Sequence, residues 1–231
     1  NDFHGGFGSH ITLPAKWLVD ADNLPPELSL ADVSVLADAI STPYQAAVRA
    51  NIKDGDYVII VGSGGIGSFG IQIAKAMGAT VMAIDIDAEK LARASEFGAD
   101  VTINTRKMKP GEARKAVKTR IKELGWPLFG HKVLEMSGTP VGQELAWGLM
   151  SFAGTVGIVG FCLDRVPVRL SNLMAFDADA FGNWGCRPQL YGPALDLVRE
   201  GKIKVLPFVR HYPMDSINDV LVGVEKHQIS E

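Results

Sequence analysis

Cysteine is nearly missing from these 231 residues: Cys162 and Cys186 are the whole supply. Two thiols so far apart cannot form a disulfide framework or a Cys-x-x-Cys metal knuckle, and a reducing, cytoplasmic setting is the expectation. An excess of charge is missing as well, since 23 Lys and Arg stand against 26 Asp and Glu for a net −3. Without a basic excess there is no global field to hold nucleic acid or an anionic membrane surface, which leaves a small molecule as the expected partner. The longest apolar stretches are strand-sized and broken by Gly or Asp, well short of the roughly 20 residues of a membrane helix. No internal repeat or low-complexity stretch is visible, which sets aside solenoids and arrays. The opening Asn-Asp-Phe-His-Gly-Gly has neither the initiator Met nor the basic and apolar regions of a signal peptide, and is expected to be a cut into a longer protein.

What is present is the balance of a globular protein, 47% apolar and 21% charged residues. Five short β-rich apolar runs follow one another: YVIIV (57–61), VMAID (81–85), VTIN (101–104), KVLEM (132–136) and TVGIVG (155–160). A segment of helical length separates each from the next. Runs that are nearly all apolar imply strands covered on both faces, and parallel pairing needs crossovers of this length, so the fold class is α/β with a parallel sheet. Upstream, 11–20 reads as a short strand interrupted by Pro14, and 30–51 as two short helices around Pro43. Downstream, 188–201 reads as a helix closed by glycine, VLPFV (205–209) as a strand, and 215–226 as an amphipathic helix, with a domain boundary near Phe181.

Between the first two runs lies Gly62-Ser63-Gly64-Gly65-Ile66-Gly67, a GxGxxG pattern with a strand before it and a helix after it. Gly62 permits the tight turn, Gly64 lets backbone approach a pyrophosphate, and Gly67 lets the helix pack close to the sheet. The helix expected over 65–77 presents its N-terminus, with unpaired N–H groups and a partial positive charge, to an anion. Asp85 ends the next run, 18 residues after Gly67. A carboxylate there accepts ribose hydroxyls and repels a 2′-phosphate, which points to NAD rather than NADP. Asp87 fits better as the N-cap of the following helix.

Longer segments carry a resemblance. GGFGSHITLPA (5–15), LADAISTPYQAA (36–47), KDGDYVIIVGSGGIG (53–67) and AMGATVMAIDIDAEKLARASEFGAD (76–100) resemble the corresponding segments of the zinc-type medium-chain dehydrogenases and reductases. Within that family, SNLMAFDADAFGNWGCRPQLY (171–191) is most similar to the hydroxycyclohexene-carbonyl-CoA dehydrogenases. The resemblance implies a Rossmann doubly wound sheet flanked by remnants of a mainly β, GroES-like substrate domain. It divides the chain into 1–43 (end of the substrate domain), 44–180 (NAD-binding domain) and 181–231 (returning part of the substrate domain). It implies NAD and a catalytic zinc in the intact protein, a homodimer or homotetramer, and oxidation of a secondary alcohol, in that subgroup a ring allylic alcohol carried on an acyl-CoA thioester. Carried over by position, Asp38 is a zinc ligand and Thr42 lies beside the nicotinamide. Ile66 presses on the nicotinamide, Ile86 lines the coenzyme site, Lys90 lies near the adenosine ribose, and Ser137, Gly138, Val159 and Gly160 line the cleft. The family's barrel with its Cys and His zinc ligands is missing here, so the chain alone is expected to be metal-free and inactive. Pro43 departs from the family's usual glycine.

Two other functions compete: a zinc-free, NADPH-using quinone or enoyl reductase of the same superfamily, which Asp85 and Asp38 argue against, and a non-catalytic dinucleotide-binding module. His4, His10, His131, His211 and His227 show no metal spacing and read as surface or core-edge residues. Cys162 reads as a buried small hydrophobe, while Cys186 stays undecided. The basic run Arg106, Lys107, Lys109, Arg114, Lys115, Lys118, Arg120 and Lys122 faces one acid, Glu112, and reads as a solvated helix face, with a grip on a CoA phosphate as the sharper alternative. Trp184 either touches substrate or packs at a domain junction.

Overall fold

In a computed structural model that describes residues 6–226 and 228–229, the five apolar runs become five strands of a six-stranded, wholly parallel sheet. Its strands are β1 (Tyr57–Val61), β2 (Thr80–Asp85), β3 (Val101–Asn104), β4 (Lys132–Glu135), β5 (Thr155–Ile158) and β6 (Asp179–Gly182), in the order β3-β2-β1-β4-β5-β6. Alternate side chains serve two cores. Val58, Ile60, Val81, Ala83 and Leu134 join one cluster, whereas Ile59, Val61, Met82, Ile84, Val133 and Val156 join the other. Ile59 and Ile60 are both 0% exposed although adjacent. Coverage on both faces is why the runs lack a polar alternate, and each such side chain contributes about 1.5–3 kcal/mol by leaving water.

The helices are α1 (Leu30–Val33), α2 (Ser41–Arg49), α3 (Gly65–Ala76), α4 (Ala88–Glu96), α5 (Pro110–Glu123), α6 (Pro140–Gly148), α7 (Asn172–Phe176), α8 (Tyr191–Arg199) and α9 (Ile217–Glu225). The first core packs Phe69, Ile71 and Ile73 of α3 with Ala46 of α2 and Ala194, Leu195 and Val198 of α8. The second packs Ala113, Val117 and Ile121 of α5 with Leu145 and Ala146 of α6. The segments on either side of the Rossmann unit are therefore docked on one face of its sheet. Pro43 stands third in α2, where a backbone N–H has no helical acceptor, so the departure from glycine leaves the helix intact.

Three expectations need correction. Residues 11–20 hold a 3₁₀ turn at Ala15–Trp17 and no strand, with Ile11 and Leu18 exposed. Residues 205–209 likewise hold a 3₁₀ turn, Leu206–Phe208, because Pro207 has no N–H for a ladder. A boundary near Phe181 falls inside β6, whose register pairs Phe181 with Gly157 of β5. The flanks thus contain no strand among the described residues. The far ends are joined by His211, whose Nε2 lies 2.6 Å from Asp32 Oδ1. Among the described residues no helix is long and apolar enough to cross a membrane.

Candidate functional site

The strand order reverses between β1 and β4, and this switch point is where an open α/β sheet forms its ligand crevice. Gly62 leaves β1 with φ +93°, a left-handed conformation, and its amide donates to the Ile84 carbonyl at 2.8 Å. A Cβ on Gly62 would lie 2.6 Å from the Ser137 Cα, so the β1 turn and the loop after β4 are in close contact. A Cβ on Gly67 would lie 1.9 Å from the Gly62 carbonyl oxygen, closer than any side chain can come. The twelve-residue α3 starts at once, with Gly64 as its N-cap and no side chain to cap it. Its first amides are left for a ligand, and a Cβ at Gly62 or Gly67 would fill the turn that presents them.

Asp85 ends β2 half-buried, facing the glycine loop. Its Oδ2 accepts from the Ser63 amide at 2.7 Å and the Ser63 hydroxyl at 2.9 Å, and its Oδ1 from the Asp87 amide at 2.9 Å. Asp87 caps α4, accepting from the Glu89 and Lys90 amides, and those bonds hold its carboxyl below the usual range. Ile86 is 57% exposed beside them. Its carbonyl accepts from Asn104 Nδ2 and Arg106 Nε. An open cleft of about 700 Å³ continues from here, lined among others by Glu89, Asn104 and Arg106. Lys107 lines the same cleft, Lys109 is the N-cap of α5, and Arg114, Lys115, Lys118, Arg120 and Lys122 lie exposed along α5, over Ala113, Val117 and Ile121.

Across the switch point, Ser137, Gly138, Val159 and Gly160 gather at the ends of β4 and β5. The residue that joins them is Glu135, 0% exposed and absent from the sequence-based candidates. Its Oε1 accepts from the Ser137 amide (2.8 Å), the Ser137 hydroxyl and the Gly138 amide (3.1 Å). Burial pushes its pKa up against the pull of those bonds. The available signal was an acid inside a run that ought to be covered on both faces.

Asp38 and Thr42 meet at the start of α2: the Thr42 hydroxyl donates to Asp38 Oδ1 at 2.5 Å, and the Thr42 amide to the Asp38 carbonyl at 2.9 Å. Thr42 is buried while Asp38 is exposed. Two buried amides hold this corner against β6. Gln45 Nε2 donates to Asn183 Oδ1 at 3.1 Å, and Asn183 Nδ2 to the Thr42 carbonyl at 3.2 Å. Next to that clasp Trp184 is 88% exposed, so it does not pack at a junction among the described residues. Cys162 is half-buried rather than buried, as is Cys186. His131 is a core residue bonded to the Pro127 carbonyl, its pKa lowered by burial, and His10 is exposed. His4 and His227 lie outside the described residues. Among the described residues no three His, Cys, Asp or Glu side chains gather as a metal site, so Asp38 is a single donor without partners here.

The strand order and glycine crevice define a Rossmann-type dinucleotide fold. The model of the zinc-binding dehydrogenase family matches residues 65–200, more than half of the 231, and the chain belongs to that family. It is 29% identical over 227 residues to an alcohol dehydrogenase of Geobacillus stearothermophilus, covering 98% of this chain and 63% of that protein. It is likewise 29% identical over 227 residues to an alcohol dehydrogenase of Moraxella sp., again with 98% and 63% covered. Among solved structures, galactitol-1-phosphate dehydrogenase from Escherichia coli superposes with a TM-score of 0.77 at 27% identity, over 89% of this chain and 60% of that one. Acetophenone reductase from Geotrichum candidum, in complex with NAD, gives 0.71 at 26% identity, over 89% and 55%. The chain therefore spans less than two thirds of the length of these relatives.

Proposed function

We propose that this chain is the coenzyme-binding part, with adjoining pieces, of an NAD-dependent zinc-type alcohol dehydrogenase. The observation that carries the reading is the uncapped N-terminus of α3, set at the switch point beside the half-buried carboxylate of Asp85. The residues fit a dinucleotide. The α3 amides and the helix dipole hold the pyrophosphate. Asp85, already oriented by Ser63 and Asp87, keeps lone pairs for ribose hydroxyls, and its charge disfavours a 2′-phosphate. In the same reading Ile86 and Lys90 border the adenosine, Ile66 presses on the nicotinamide, and Ser137, Gly138, Val159 and Gly160 form the other wall. Thr42 orients the Asp38 carboxylate through its hydroxyl, and Asn183 holds Thr42 from behind.

Zinc would supply Lewis acidity toward the alcohol oxygen, and the nicotinamide a hydride acceptor. A catalytic zinc needs three protein ligands, so Asp38 would contribute one, and among the described residues no second or third gathers beside it. In the full-length protein, Asp38→Asn is expected to lose zinc and turnover while NADH binding persists. Full zinc content and full turnover in that variant would remove Asp38 from the ligand set.

The finer substrate reading is a ring allylic alcohol on a CoA thioester, supported by the resemblance of 171–191 and, as a phosphate contact, by the outward basic face of α5. Binding energy from the remote CoA part can be used to orient the reacting carbon. The full-length enzyme should then show a higher kcat/KM for the hydroxycyclohexene-carbonyl-CoA thioester than for the free acid. Equal values would leave an alcohol dehydrogenase of other specificity. A homodimer or homotetramer, acting on a small molecule in the cytoplasm, completes the proposal.

A further inference from the structure

The order β3-β2-β1-β4-β5-β6 splits the crevice into two halves that meet at β1. Asp85, Ile86 and Lys90 stand on the β2 side, while Ser137, Gly138, Val159 and Gly160 stand on the β4-β5 side. One residue bonds all four of the latter. The Glu135 carboxyl holds Ser137 and Gly138, and the Glu135 main-chain carbonyl accepts from the Val159 amide at 2.9 Å and the Gly160 amide at 3.0 Å. The grip reaches the phosphate loop as well, because Ser137 is the residue against which a Cβ on Gly62 would clash.

The carboxyl is unusual in what it leaves unpaired. Its three full acceptor bonds fall on Oε1, while the buried Oε2 makes none and lies beside Gly160, whose amide also pulls on the carboxyl. A Cβ on Gly160 would lie 2.7 Å from Oε2, so that atom is directed at the floor of the β4-β5 half. No Lys, Arg or His donates to the carboxyl among the described residues; its neighbours are Ser137, Gly138, Gly142 and Gly160. Burial disfavours the charged form of a carboxyl in such a place and raises its pKa against the pull of its donors.

We propose that Glu135 is the positioning residue of the nicotinamide half of the crevice, setting Ser137, Gly138, Val159 and Gly160 from one buried carboxyl and its own carbonyl. The inference rests on the NAD reading and adds that the two halves can be uncoupled. Loss of the carboxyl should loosen the wall met by the nicotinamide nucleotide and leave the adenosine half, held by Asp85, unchanged.

The test is calorimetric titration of the full-length protein with NADH and, separately, with AMP as a probe of the adenosine half. Glu135→Gln keeps a carbonyl oxygen at Oε1 and should bind both ligands within about twofold of the wild type, since no hydrogen bond of the turn is lost. Glu135→Leu should weaken NADH about tenfold or more, with AMP unchanged. Should that variant not fold, Ser137→Ala keeps the amide bond to Glu135 but removes the hydroxyl's bonds to Glu135 and Thr139, and should still weaken NADH about threefold with AMP unchanged. Unchanged NADH affinity in Glu135→Leu or Ser137→Ala, or parallel weakening of NADH and AMP, would overturn the positioning role. Loss of NADH affinity in Glu135→Gln as large as in Glu135→Leu would show that the Oε1 bonds do not set the wall and would likewise overturn the role. A wild type that binds neither ligand would refute the NAD reading itself, a distinct result from one that binds both and ignores the variants.

Discussion

The two halves of the crevice end on the same device and put it to opposite uses. Asp85 closes β2 and Glu135 closes β4, and each carboxyl accepts from the amide and hydroxyl of a nearby serine, Ser63 in one case and Ser137 in the other. Asp85 has partners on both oxygens and remains half-buried, so its charge is supported and still offers lone pairs to a ligand. Glu135 is sealed, with one oxygen carrying the three full bonds and the other set beside Gly160 without one. How much water reaches a carboxyl at a strand end thus decides whether it keeps lone pairs open to a ligand or has them taken up by the adjoining loop, since burial penalises the charged form.

The seam between the halves is the place to break that comparison most severely. Gly62→Ala would force a side chain into a left-handed turn and against the backbone of Ser137, disturbing both halves together. The expected cost is about 1–3 kcal/mol or more of stability, equivalent to a Tm lower by at least ~2–4 °C for a domain of this size. Thermal denaturation of the variant against the wild type checks it.

A smaller effect distinguishes the halves by pH. Because burial raises the Glu135 pKa above its ordinary 4.5, the neutral acid is the form that the fold favours. Its contribution is fully present below 4.5 and is lost as pH rises through the folded value. Glu135→Gln does not titrate, so denaturant unfolding should find the variant gaining on the wild type as pH rises from about 4 to about 8. The opposite sign is expected far from the crevice. The Ser29 hydroxyl and amide, then His211, hold Asp32 near 2, below its ordinary 3.8. That contribution is present above 3.8 and lost as pH falls through about 2, so Asp32→Asn should flatten the acid limb of the stability curve.

The sheet was legible wherever strands are covered on both faces. Tyr57–Val61, covered on both faces, stands where its apolar run predicts it, the edge strand Val101–Asn104 follows from its β-branched residues although Thr102 and Asn104 are exposed, and the cap at Asp87 follows from its place before a helix. β6 was not legible, because Asp179-Ala180-Phe181-Gly182 has no apolar run and, unlike the other edge strand VTIN, no β-branched residue. VLPFV read as a strand by composition, but a strand also needs a neighbour and an N–H, and Pro207 withholds one. At the site, the glycine loop and Asp85 could be found because they belong to a local pattern. Glu135 and the Gln45–Asn183 clasp could not, since their partners are set by the fold: Asn183 reaches Thr42 across 141 residues of chain. Glu135 carried only one trace, an acid in a strand that should have been wholly apolar.

The central claim, that Asp85 reads an NAD ribose at the mouth of this crevice, is tested most directly by titrating the full-length wild type and Asp85→Ala with NADH and NADPH. The account predicts a wild type that prefers NADH. It also predicts a variant that loses about tenfold to a hundredfold in NADH affinity, the worth of hydrogen bonds to a charged group at about 1.5–3 kcal/mol, while NADPH loses less and the preference collapses. A wild type that binds NADPH as well as NADH, or a variant that keeps the wild-type preference, would contradict it.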